Sequence, residues 1–298
     1  MAFDPDILLN HDFGALEHSY TERDTALYAL GVGLGFDPAD EAQIRFVYEE
    51  DMAALPSMAV ILAYPGFWLK EPWTGVDWVR VLHGEQGIRI HQPLPPAATV
   101  VGRTRVTAVV DKGAEKGALI YSEREVTDKA TGALLCTLTQ SAFARGDGGF
   151  AKPGNPAKPG GPGNSDGRGK PVHALPDRPP DMVAELPTLP QAALIYRLSG
   201  DLNPLHADPK VALAAGFGRP ILHGLATLGV AGHAILRSCC GYDPARLRAM
   251  DLRFSAPVYP GETLATEMWR DGAVVSFRTR AVERDIVVLN NGRAEIAP

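Results

Sequence analysis

At 298 residues the chain is long enough for one large domain or two medium ones with a real core. Its 45% apolar and 21% charged residues are ordinary for a soluble globular protein, and a net charge of −6 argues against nucleic-acid binding, which calls for a basic stripe. Three cysteines, two of them adjacent at Cys239 and Cys240, make neither a disulfide framework nor a metal site and fit a reducing, cytoplasmic setting. The opening Met-Ala-Phe-Asp-Pro-Asp has no secretory pattern, no uncharged apolar run reaches a membrane-spanning length, and the final Ile-Ala-Pro is not a Ser-Lys-Leu peroxisomal address. No membrane partner is therefore expected.

Thr21-Glu-Arg-Asp24 reads as a capping box with Asp in place of Glu, opening a helix that stops at Gly31. Gly31-Val-Gly-Leu-Gly35 is a turn rather than a dinucleotide fingerprint, because it follows a helix and its third glycine is misplaced. Residues 41–48 form a short strand or helix, and residues 55–62 a small apolar helix. Alternating runs rich in Val, Thr and Tyr predict strands over 79–91, 98–110, 117–127 and 133–143, where Cys136 is a small buried hydrophobe. Glycine and proline then dominate residues 146–171, which cannot bury enough surface to offset ordering and read as a flexible linker.

After the linker comes the stretch Leu198-Ser-Gly-Asp-Leu-Asn-Pro-Leu-His206-Ala-Asp-Pro209. Pro204 rules out a helix here and biases Asn203 to extended backbone, while Gly200 frees the chain just before Asp201. The segment is a shaped loop whose Asp and Asn side chains bond backbone two residues on. Asp208 then caps a short helix with Pro209 at its first position and Gly216 as its stop. A second, uncharged Ala/Gly/Leu-rich helix opens at Gly224 and runs to about Leu236; so apolar a helix is buried, and its first amides lack intrahelical acceptors. Asp201, Asn203, His206 and the amides near Gly224 make a candidate catalytic set, against the plainer reading in which they only cap turns.

Strands are predicted again at 248–254, 262–269, 273–282 and 285–289. The Pro-rich turn after His91 is echoed after Phe254, so each half reads as an apolar helix followed by an antiparallel meander. A buried helix laid on a curved antiparallel sheet, occurring twice, is an α+β double hot-dog architecture. The expected organisation is an N-terminal half over residues 1–145 without the catalytic motif, a linker over 146–180, and a C-terminal half over 181–298 that carries it. The first half is then free to hold a substrate tail.

Tyr196-Arg-Leu-Ser-Gly-Asp-Leu-Asn-Pro-Leu-His206, Gly216-Phe and Pro220-Ile-Leu-His-Gly224-Leu resemble the signature of type 2, MaoC-like enoyl-CoA hydratases, including the hydratase unit of the peroxisomal multifunctional β-oxidation enzyme. The likeness extends to Tyr20-Thr-Glu-Arg-Asp24, Leu82-His-Gly-Glu-Gln86 and Phe254-Ser-Ala-Pro-Val-Tyr-Pro-Gly261, and so covers nearly the whole chain. It departs at Leu202 and in the long Gly/Pro linker. The resemblance implies a double hot-dog fold and the hydration of trans-2-enoyl-CoA to (R)-3-hydroxyacyl-CoA. It further implies Asp201 and His206 as the catalytic pair, the Gly224 amide as a thioester contact, and acyl-CoA contacts at His83, Gly84, Lys112 and Phe254.

Chemically, Asp201 and His206 share the activation of water and the delivery of a proton, and the helix-start amides meet the enolate oxygen. Asn203 either orients the water or fixes the loop. Lys112 is either a phosphate or carbonyl partner or a solvated turn lysine; Phe254 either lines the ligand path or packs in the core. His223 reads as structural, Tyr196 as packing and Arg197 as surface. No metal and no separate cofactor is expected, the expected partner is an acyl-CoA thioester, and a homodimer is the expected assembly. Rival readings are an acyl-CoA thioesterase on the same fold, a dehydratase running the reaction backwards, and a non-catalytic acyl-CoA binding module.

Overall fold

The computed structural model describes residues 3–150 and 172–298; most of the segment expected to be a linker, residues 151–171, lies outside the described residues. Ten strands build the protein: β1 (Ala15–Tyr20), β2 (Val81–Ile90), β3 (Ala98–Asp111), β4 (Ala118–Asp128), β5 (Leu134–Ala144), β6 (Met182–Pro187), β7 (Leu247–Phe254), β8 (Thr263–Asp271), β9 (Val274–Ala281) and β10 (Ile286–Ile296). They form one sheet in the order β1-β3-β4-β5-β2-β7-β10-β9-β8-β6. Read outward from its middle, this order is the same program twice. In each half a three-strand meander (β3-β4-β5, β8-β9-β10) is flanked by an outer strand from before the helix (β1, β6) and an inner strand from after it (β2, β7). The halves join where β2 pairs antiparallel with β7, from Glu85 opposite Arg253 to Arg89 opposite Ala249. This is the double hot-dog arrangement with its sheets side by side.

Three details differ from the sequence expectation. The strand that follows the helix in each half, β2 or β7, does not pair with the next one in the chain, as a simple meander would have it; it pairs with the last strand of its half, β5 or β10, which frees its other edge for the seam. The edge strands β1 and β6 escape period-two reading because each is short and only weakly buried, a common form for an exposed edge. At the other end of the chain β10 runs on past Leu289 to Ile296, because Asn290-Asn-Gly292 is a bulge with Asn291 at φ 54° rather than a strand-ending turn.

The helices are α1 (Pro5–Leu9), α2 (Glu22–Gly31), α3 (Glu41–Ile44), α4 (Ala192–Tyr196), α5 (Pro209–Ala214) and α6 (Gly224–Cys240). The Thr21/Asp24 capping box is formed, and Asp208 accepts from the Lys210 amide at the start of α5. α6 passes Leu236 and takes in Arg237, Cys239 and Cys240 before Gly241 closes it in the left-handed region. Every residue from Ala226 to Leu236 is buried, as expected of a helix that is apolar all round. Its first-half counterpart is much smaller: Pro56–Ile61 is a 3-10 helix of 6 residues.

One apolar cluster runs through both halves, with Tyr28, Phe46, Met58, Leu228, Ile235 and Phe277 among its buried members. The three cysteines are free and buried. Among the described residues no helix is long and apolar enough to cross a membrane. Chain flanking the undescribed stretch packs on the body: Phe150 lies 5.3 Å from Phe3, and the His173 ring bonds the Ser276 hydroxyl at 2.8 Å.

Candidate active site

The loop between α4 and α5 is folded by its own side chains. Gly200, at φ 114°, makes a left-handed turn that a larger residue would resist. The Asp201 carboxylate accepts from the Asn203 amide at 3.1 Å, and the Asn203 side-chain oxygen accepts from the Leu205 amide at 3.1 Å. Pro204–His206 is then a single 3-10 turn that delivers His206 inward while Asn203 stays exposed. Of the two roles open to Asn203, fixing the loop is the one its hydrogen bond performs.

His206 is buried, and its Nδ1 donates to the Ile221 carbonyl at 2.8 Å, which leaves Nε2 as a bare acceptor. Burial lowers its pKa below the ordinary 6.5, and the nearby Asp201 charge only partly opposes this. The ring therefore stays neutral in the folded protein near pH 7. Ile221 is itself held, because the neighbouring Leu222 amide bonds the Val258 carbonyl at 2.7 Å.

His223 is the residue the sequence reading undervalued. It is 1% exposed, its ring stacks on His206 with centroids 3.7 Å apart, and its Nε2 donates to the Asp201 backbone carbonyl at 3.1 Å. One donor atom from each of Asp201, His206 and His223 lies within 4.8 Å of the others. His223 thus ties the Asp201 loop to the start of α6. Burial first, and the adjacent His206 second, push its pKa down to about 4. The available signal was its place as the residue before a buried helix start. Tyr196 packs beneath it, 5.0 Å between ring centroids, as expected; Arg197 is half-buried beside the loop rather than free at the surface.

α6 begins at this cluster. The amides of Ala226 and Thr227 both bond the His223 carbonyl, so the Gly224 and Leu225 amides precede the helical ladder and remain available to a ligand oxygen. Small size at Gly224 matters for a second reason: a Cβ there would sit 3.1 Å from the Phe254 ring. Phe254, at the end of β7, in turn lies 4.7 Å from the His83 ring of β2. His83, Phe254 and Gly224 are therefore brought together at the seam between the halves. Gly84 is the extra residue of a bulge between His83 and Glu85, which aims His83 toward the seam. His83 donates from Nε2 to the Glu85 carbonyl, and burial lowers its pKa to about 4 while Asp201 opposes the shift. Lys112 is not part of this group. It is exposed on the β3–β4 turn, at the same end of the sheet as Val81 but three strands away, roughly 14 Å by strand spacing.

Tyr64 went unnoticed in the sequence, although an aromatic before Pro65-Gly66 marks a shaped turn. Its hydroxyl pKa is pushed up to about 12, by burial and then by the Asp201 charge. One carboxylate beside two neutral imidazoles has the donor types a transition metal accepts. It equally suits a single water molecule held between an acid and a base.

Two family models match the chain. An MFE-2 hydratase 2 N-terminal domain matches residues 18–146, and a MaoC like domain matches residues 171–291. The chain is 39% identical to the protein named Enoyl-CoA hydratase 2, peroxisomal, of Arabidopsis thaliana, over 96% of this chain and 94% of that one. The crystal structure of a MaoC-like dehydratase from Phytophthora capsici matches it with a TM-score of 0.81 at 34% identity, covering 98% of each chain. A conserved hypothetical protein of Mycobacterium tuberculosis described as having a double hotdog fold shares the fold alone, at 19% identity, a TM-score of 0.58 and coverage of 96% and 94%. The chain belongs to the MaoC-like, type 2 enoyl-CoA hydratase family.

Proposed function

We propose that the protein is a hydro-lyase that adds water reversibly to trans-2-enoyl-CoA, giving (R)-3-hydroxyacyl-CoA. The observation that carries this reading is the clustering of the Asp201 carboxylate, His206 and His223 within 4.8 Å, beside the available Gly224 amide. The gap suits one water between the Asp201 carboxylate and His206 Nε2. As its oxygen bonds C3, one of the pair takes a proton and the C2–C3 π electrons move toward the thioester. Negative charge collects on the thioester oxygen, where the Gly224 N–H is placed to donate to it. The enolate then reforms the carbonyl as C2 takes a proton from the same acid–base pair, so the two groups return to their starting states. A positioned acid–base group contributes ~10²–10⁴-fold in such a step, and a fixed oxyanion donor ~10²–10³-fold.

The CoA thioester enters at the seam, where His83, Gly84 and Phe254 line the approach to Gly224. Lys112 at the same sheet end is in a position to meet the nucleotide phosphates. The chemistry needs no metal or separate cofactor, since a neutral base, a carboxylate and a backbone donor cover every proton and charge. Cytoplasmic operation fits three reduced, buried thiols. A homodimer fits the exposed apolar side chains of Trp78, Val79 and Leu82.

The thioesterase alternative is less well served. It needs a carboxylate aimed at the carbonyl carbon, whereas here a second acid–base group shares the water. Mixing the protein with crotonyl-CoA and a medium-chain 2-enoyl-CoA separates these readings: loss of the conjugated thioester absorbance without release of free thiol is the expected result, before and after dialysis against a chelator. Release of thiol would identify a thioesterase, and activity lost to the chelator and restored by a metal would put an ion into the site.

A further inference from the structure

Arg124 stands on the inner face of β4, between Ser122 and Val126, where a hot-dog sheet ordinarily presents apolar side chains to its helix. It is 8% exposed. One guanidinium nitrogen donates to the Val60 carbonyl at 2.8 Å, and the group lies 5.4 Å from the centre of the Tyr64 ring. Its Nε is buried and has no partner, and among the described residues no carboxylate forms an ion pair with it. The two acids flanking it in sequence are on the opposite face of β4: Glu123 pairs with Arg105, and Glu125 is exposed. Burial lowers its pKa only to about 10, so it is cationic at neutral pH. An unpaired buried charge is costly, and such groups are normally matched by a partner.

The space beside Arg124 supplies a place for that partner. A small pocket, partly open to solvent, is lined by Tyr64, Thr104, Ser122, Glu123, Arg124 and Gln140, among others. Leu225, the second residue of α6, closes its other side, so the cavity adjoins the amides proposed to hold the thioester oxygen. It exists because the first-half helix is one short 3-10 segment and does not cover this part of the sheet. Val60, Pro65, Leu138 and Leu225 give the lining apolar surface for a chain's methylenes, while the hydroxyls, the amides and the bare guanidinium nitrogen give it polar groups that suit a polar chain end. Those polar groups are a good lining for a carboxylate, which takes charge-assisted hydrogen bonds from arginine.

We infer that the first half holds a recognition site for a carboxylate on the acyl chain remote from the thioester, with Arg124 as its specificity determinant. The preferred substrates are then 2-enoyl-CoA thioesters of dicarboxylic chains. This rests on the hydratase reading for the reaction, but not for the binding.

The test compares chains of matched length ending in methyl, hydroxyl or carboxylate, across a series of lengths. Hydration of the 2-enoyl-CoA thioesters gives kcat/KM, and calorimetry with the saturated thioesters, which cannot react, gives affinity. At the length that reaches Arg124, the carboxylate chain is expected to exceed the methyl chain by roughly tenfold to a hundredfold. Arg124→Met, similar in volume and uncharged, should abolish that preference and leave the methyl chain unimpaired, and Arg124→Lys should restore part of it. Should Arg124→Met fail to fold, the preference of the unaltered protein still decides. No carboxylate preference at any length overturns the inference, as does an Arg124→Met loss that is equal for all three chain ends. A hydroxyl chain as good as the carboxylate overturns the assignment of an anion. Tighter binding of the saturated carboxylate chain by a protein that hydrates nothing would leave the site standing and remove the hydratase reading instead.

Discussion

The two halves share one strand program and differ in what they lay on it. Over the second half lies α6, 17 residues of nearly unbroken burial; over the first lies a 6-residue 3-10 helix. The inner faces answer the difference. In the second half Leu264, Met268, Val275 and Phe277 are fully buried, and the two polar residues among them, Thr266 and Thr279, bond each other at 3.0 Å. In the first half the inner face carries Gln86, Ser122 and Arg124, and the Arg124 Nε is unsatisfied. Duplication lets one copy keep the long helix and its polar start as chemistry, while the other gives up helix length and so opens space beside the reacting group.

The largest effect should come from the copy that kept the motif. Asp201→Asn and His206→Ala are each expected to lower kcat by ~10²–10⁴-fold. The double variant should be little worse than either single one, because the two groups act on one water. Asn at 201 can still accept the Asn203 amide, so the melting temperature should hardly move; loss of the His206–Ile221 bond should cost about 1 kcal/mol. Ser57→Ala, in the first-half counterpart helix, should leave kcat unchanged. A folded Asp201→Asn protein with full turnover would place the chemistry elsewhere.

Next is the helix start. His223, at φ −59° and ψ 137°, has the extended backbone that a following proline requires. Proline is well tolerated at the first helical position, so Gly224→Pro removes the proposed oxyanion donor while keeping α6. Its ring crowds Phe254, so the informative variant is Gly224→Pro with Phe254→Leu, read against Phe254→Leu alone. We expect a fall of ~10²-fold in kcat with KM little changed. A comparable fall in Phe254→Leu alone would assign the effect to the aromatic wall.

Much of this was legible in the sequence because local chemistry dictated it. The Asx turns of the Asp201 loop, the Asp208 cap and the apolar composition of α6 each admit one local conformation, and the structure has it. The pairing of β2 with β5 and β7 was not legible, since period-two patterning says which residues face inward but not which strand lies alongside. Nor were the roles of His223 and Arg124. A histidine before a helix and an arginine in a Ser-Glu-Arg-Glu strand look solvated until the fold stacks one on His206 and turns the other onto a buried face. β6 is a third case: six residues ending in proline carry little signal, and the partner β8 supplies the pattern.

The first half can be tested by filling its space. Thr104 on β3 lines the cavity, and an aromatic there suits a strand. Thr104→Phe should leave crotonyl-CoA hydration intact, because a four-carbon acyl group ends near α6. Longer chains should lose about 0.8 kcal/mol in kcat/KM for each methylene denied its contact. Overpacking unfolds some cores, so a melting curve accompanies the kinetics. Equal losses for short and long chains in a folded protein would make the first half a scaffold and send the tail elsewhere.

The smallest effect is on pH, and it separates the site histidines from a structural one. Burial depresses His206 below the ordinary 6.5, and the neutral ring is the form required to accept a proton from water. The acid limb of kcat/KM should therefore fall below pH 6.5, not at it. His233 of α6 is also buried, 1% exposed with Nε2 on the Tyr242 hydroxyl at 3.1 Å, and its pKa is pushed down to about 4 by burial. Between 6.5 and about 4 the unfolded chain carries a proton on this residue that the folded chain does not. Lowering the pH through that window consequently costs stability, at up to ~1.4 kcal/mol per unit for one such group. His233→Gln, which can keep a donor near Tyr242, should flatten the fall of melting temperature with pH over that window and leave the pH–rate profile unmoved. A shift of the rate profile by His233→Gln would mean that α6 carries charge from its middle to its catalytic start, and that the long helix of the second half is more than a support.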